Sequence, residues 1–70
     1  MVLKQIKDDM KLFSECLSDG DRVAAQGFLL DVERLAERGY ESGEISGTQY
    51  VEIVNVSLPI AWNRFYAVGR

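Results

Sequence analysis

The side chains that could do chemistry are few and poorly assorted. Cys16 is the single cysteine and the 70 residues contain no histidine, so a thiol has no imidazole to activate it and a zinc ion has no partner ligand. Lying beside Leu17 on the flank of an apolar stripe, Cys16 reads as a small buried hydrophobe. The neighbouring acids Asp8 and Asp9 point apart if the segment is helical, and Asp19 and Asp21 fall where a helix needs an N-cap, so neither pair predicts calcium or paired catalytic carboxylates. Gly43-Glu44-Ile45-Ser46-Gly47 has the glycines of a phosphate loop without the preceding strand or the following lysine. The expectation is a chain that is not an enzyme and carries no metal or cofactor.

The ending is different in kind. SLPIAWNRFYAVGR holds the only proline and the only tryptophan, with two more aromatic rings, two arginines and no acid. Large aromatics beside arginine have the composition of an interface hot spot, which makes Trp62, Arg64, Phe65, Tyr66 and Arg70 the candidate partner-binding residues. Leu58, Ala61, Trp62 and Phe65 also fall at helical spacing and could pack on the rest of the chain. A mixed outcome is expected, with Trp62 and Phe65 inward and Tyr66 and Arg64 outward.

The elements that would carry these residues are helical throughout. Leu3, Ile6, Met10, Phe13 and Leu17 alternate at intervals of three and four, a heptad seam widened by Val2, Leu12 and Cys16. Ser18-Asp19-Gly20-Asp21 stops this helix and caps the next, so the two form an antiparallel hairpin. In the second helix Ala25, Phe28, Leu29, Val32, Leu35 and Ala36 keep the helical period. Gly27 interrupts it, and beside Ala24 and Ala25 it offers a thin place for another backbone. Arg38, Gly39 and Tyr40 read as the stop signal, with Tyr40 covering Leu35 as in a Schellman cap. Glu41-Ser42-Gly43-Glu44 then reads as a polar loop.

Ser46-Gly47-Thr48-Gln49 matches a capping box, with Ile45 and Tyr50 at the staple positions, so a third helix starts near Gly47 although Tyr50 to Val56 is rich in β-branched residues. Pro59 cannot donate to the carbonyl of Asn55. The third helix therefore ends near Ser57 or kinks there, and a last helix runs from Leu58 or Pro59 through Val68. The fold class is all-α: three or four short helices in one domain over residues 1–70, an antiparallel hairpin plus a Pro-kinked C-terminal helix.

A chain of this length with no disulfide or metal gains from a second subunit, and 47% hydrophobic residues exceed what a lone globule hides. A homo-oligomer is expected, with Leu3, Ile6, Met10, Phe13, Leu17 and Gly27 as its candidate interface. The net charge of −3 disfavours direct nucleic-acid binding. The absence of an uninterrupted apolar run predicts a cytoplasmic protein without membrane contact.

Pro59, Trp62 and a basic terminus are the features in which the chain resembles the small helical nucleoid-associated co-regulators of enterobacteria; they are too few to assign it to that family. The reading that follows is a non-enzymatic regulator that binds another protein, such as a transcription factor, repressor or defence protein, in the manner of phage- or mobile-element-encoded modulators or antirepressors. A self-assembling structural module, or a nucleic-acid-associated co-regulator using Arg64 and Arg70, are the alternatives.

Overall fold

Three helical rods account for the chain in a computed structural model that describes residues 1–68. The first rod is α1, Val2–Ser18, and the second is α2, Arg22–Ser42. The third is one uninterrupted helical path made of α3 (Gly47–Glu52), a π-helical turn (Ile53–Ser57) and α4 (Leu58–Val68). α2 packs against both of the others. No strand occurs among the described residues.

Local signals explain the boundaries. Gly20 takes the left-handed conformation at φ 81°, and the Asp21 side chain accepts from the Ala24 amide at 3.1 Å to cap α2. Ser46 and Gln49 make the expected reciprocal capping box, with Oγ accepting from the Gln49 amide at 3.1 Å and Oε1 accepting from the Ser46 amide at 2.8 Å. The α1 amides have no local side-chain cap. Glu44, from the loop before α3, supplies one by accepting from the Val2 amide at 3.2 Å.

The core is apolar without exception: no polar or charged residue is buried among those described. Ile6, Phe13 and Leu17 of α1 meet Ala25, Leu29, Val32 and Ala36 of α2, and Ile53, Leu58, Ala61 and Phe65 close the third side. The heptad seam of α1, expected at an oligomer interface, is therefore consumed within the monomer. Phe13 is 1% exposed, Ile6 and Leu17 are buried, and Leu3 and Met10 pack half-buried at the edge.

Neither Gly39 nor Gly27 plays the role expected of it. Gly39 does not end α2, which runs one further turn to Ser42 and stops at Gly43, left-handed at φ 82°. Gly39 is instead the point of closest approach: a Cβ there would lie 2.9 Å from Val2 Cγ1 and 3.4 Å from Ile45 Cγ1. Gly27, assigned the thin contact, is exposed, and a Cβ on it would meet nothing within 4 Å. Tyr40 turns from Leu35 to stack on Tyr50, with ring centroids 4.7 Å apart.

The α-helix from Leu58 to Val68 appears where the sequence places it, but the joint before it is a π turn. The Leu58 amide reaches back five residues to the Ile53 carbonyl. A π turn adds a residue to the helical cycle, which returns Leu58 to the buried face five positions after Ile53.

Opposite stability changes are expected at the two glycines. Gly27→Ala should stabilise by about 0.5–1 kcal/mol through helix propensity alone. Gly39→Ala should lose that gain and about 1 kcal/mol more, because the β-branched Val2 and Ile45 must move. Denaturant midpoints of the two variants check this.

Candidate functional site

Each of the C-terminal candidates has a distinct fate. Phe65 is 5% exposed, inside the core, with the Arg22 guanidinium over its ring at 4.2 Å from the centroid; it is lost as a direct partner contact. Arg64 leans towards α1, its Nη1 donating to Ser14 Oγ at 3.3 Å and its guanidinium 5.9 Å from the Phe13 ring centroid. Trp62 is half-buried and donates from Nε1 to Glu33 Oε1 of α2 at 3.2 Å. Tyr66 is 58% exposed and stacks on Trp62 with centroids 5.8 Å apart. Arg70 lies outside the described residues. The inward and outward division thus holds for Phe65, Tyr66 and the exposed Arg64, with Trp62 between.

These side chains border a groove that no single segment predicts. It lies at the seam of α2 and the third rod, encloses about 210 Å³, and is walled by Glu33 and Glu37 on one side and by Tyr50, Val54, Leu58 and Trp62 on the other, with Pro59 at the lip. None of its lining residues is basic. At one end Tyr50 stacks on Tyr40, and at the other Trp62 stacks on Tyr66. Its two acids come from positions four apart on α2, and no sequence motif singles them out. The signal that could have found them is their helical phase, which puts Glu33 and Glu37 on one flank of the Leu29–Ala36 ridge.

The opposite flank of α2 carries a second acidic feature. Asp9 of α1 faces Asp31 of α2, beside Gln5, Asp8 and Leu35, and Asp9 Oδ2 is buried with no hydrogen-bond partner. Burial, then the facing Asp31 carboxylate, to which a protonated Asp9 donates and whose charge opposes ionisation, and the charge of Asp8, push the Asp9 carboxyl up to about 6. No group of three or more potential ligands that could hold a metal occurs among the described residues.

Cys16 is half-buried. Burial, followed by the charges of Asp21, Asp19 and Glu15, raises its thiol above the ordinary value, which leaves less thiolate at neutral pH. No helix among the described residues is long and apolar enough to cross a membrane.

No protein-family model matches the chain, and no curated protein or solved structure does.

The Asp9 carboxyl sets a pH dependence of stability. Its folded pKa lies above the unfolded value, so the folded state holds a proton that the unfolded state has released between about pH 4 and pH 6. Stability contributed by this group falls as pH rises through that window. Asp9→Asn keeps a donor towards Asp31 at every pH and should raise stability at pH 7 by on the order of 1 kcal/mol after solvent screening. Urea midpoints at pH 4.5 and pH 7 should differ less in the variant than in the parent.

Proposed function

We propose that this protein is a small non-enzymatic regulator that acts by binding another protein, with the α2/α4 face as its docking surface. The observation that carries the reading is the exposed Tyr66 ring stacked on Trp62, which itself lines a groove of apolar and acidic side chains. Rings held in a fixed stack lose little conformational entropy on binding, and a partner ring or aliphatic chain gains contact with both at once. The partner class stays as the sequence suggests: a transcription factor, repressor or defence protein whose activity changes on binding. Arg64 acts within this reading as a brace between α4 and α1, and no longer as a contact of its own.

A second reading, self-assembly, is favoured by one separate surface. Val23 is 84% exposed and Leu30 46%, and with the open Gly27 they lie on the back of α2, turned away from the core. A second copy could approach closely there. A bend of the third rod at Pro59 and a homo-oligomeric state belong to the proposal as its finer parts.

Capture of a partner by the immobilised protein from extracts of its source cells, identified by mass spectrometry, tests the first reading. Tyr66→Ala removes an exposed ring and should leave the thermal midpoint within about 2–4 °C of the parent while abolishing capture. Undiminished capture by a folded Tyr66→Ala variant would place the docking surface elsewhere. Sedimentation against concentration for the parent and Gly27→Leu separates the second reading: a dimer that the leucine disperses supports it.

A further inference from the structure

The groove between α2 and the third rod has a chemistry that selects its occupant. At about 210 Å³ and open to solvent, it falls short of the roughly 300–1,000 Å³ usual for a small-molecule site and suits one or two side chains. Its floor is aliphatic, from Val54 and Leu58, and its ends are aromatic, from Tyr50 and Trp62. Glu33 and Glu37 stand along one edge with no basic residue lining the same space. Glu33 Oε1 accepts from the Trp62 indole, which fixes the carboxylate at the edge of the ring and leaves the ring face open to a stacking group.

An aliphatic stem needs apolar walls, and a terminal cation needs carboxylates and aromatic faces. Arginine and lysine are the side chains with both parts. Arginine fits better, because its planar guanidinium can stack on an indole or phenol and donate in a fork to a carboxylate at the same time.

The geometry points to a groove that takes an arginine side chain from the protein partner, its guanidinium set between Glu33 and Glu37 and against Trp62 or Tyr50. The inference rests on the protein-binding reading and names the chemistry of the partner: a segment with arginine flanked by apolar residues. Charge complementarity supports this occupant over a second copy, since each copy carries a net charge of −3 and would bring excess acid to an acidic rim. Nucleic acid is disfavoured on the same ground, because phosphates would meet carboxylates.

Trp62 is the only tryptophan, so its fluorescence and its indole N–H resonance report directly from the groove. The probe is a capped five-residue peptide alternating leucine and arginine, compared with the same peptide carrying citrulline, the neutral isostere, in place of arginine. The arginine peptide should shift both Trp62 signals saturably and the citrulline peptide should not. Glu33→Gln with Glu37→Gln should weaken the response by about tenfold or more. The amide oxygen introduced by Glu33→Gln can still accept from the indole, so the fold should persist. Equal binding of the citrulline peptide, or binding unchanged in the double variant, overturns the assignment. So does a Trp62 signal that moves only with protein concentration, the mark of a second copy in the groove.

The capture experiment separates the two levels of the argument. A partner lost on Tyr66→Ala but retained by the Glu33→Gln/Glu37→Gln variant preserves protein binding and refutes arginine recognition.

Discussion

One helix has to serve two neighbours. α2 packs against α1 on one side and the third rod on the other, and it can do so because its inner face is narrow. Ala25 at one end and Ala36 and Gly39 at the other flank Leu29 and Val32, and all are buried. Small residues bring neighbouring backbones close, while the two branched side chains fill the space between them. At Gly39 the packing leaves no room for a Cβ: Val2 from the start of α1 would lie 2.9 Å from it, with Ile45 from the loop before α3 in contact at 3.4 Å. The same region holds the Glu44 carboxylate on the Val2 amide. The beginning of the first rod, the end of the second and the entry to the third are thus tied at one place.

The far end is closed by a different device. Phe13 and Phe65 fill the core, and each has a guanidinium over its ring, Arg64 over Phe13 and Arg22 over Phe65. Arginine does this well because its aliphatic stem covers apolar surface while its head keeps contact with water. This explains how a tail so rich in arginine and aromatics can be structural in part. Composition alone gives the same score to a ring that is roofed over by its own chain and a ring that waits for a partner.

How much was legible in the sequence follows from the range of each interaction. The capping box at Ser46 and Gln49, the turn at Gly20-Asp21 and the apolar phase of α1 and α2 are local, and the sequence reveals them. The assignment of Gly39 as a stop fails because a cap and a close contact call for the same residue, and only the positions of Val2 and Ile45, far away along the chain, distinguish them. The π turn left a trace, an interval of five between Ile53 and Leu58 beside a proline without an amide. That trace resembles a helix break when the rest of the core is unknown. The groove left none, since its walls come from α2 and from residues beyond the loop, and the bond that defines it joins Glu33 to Trp62 across 29 positions.

α2 carries acid on both flanks, and the two flanks meet its cost in different ways. Towards α1, Asp9 and Asp31 confront each other over a buried oxygen, and the strain is relieved by a proton held up to about pH 6. The groups there satisfy one another only when one is neutral, which makes the pair an internal cost to a small fold with little stability to spare. Towards the third rod, Glu33 accepts from an indole and shares its edge with Glu37 above an apolar floor. An indole N–H satisfies a lone pair without cancelling a charge, so the field of that edge persists and is directed into a concave space with apolar walls, where charges interact more strongly than in bulk water. A like-charged pair facing inward destabilises the chain that holds it; the same residue type facing a groove without bases acts on whatever approaches. The difference between the two flanks of one helix favours the third rod's side over the first's for the proposed docking.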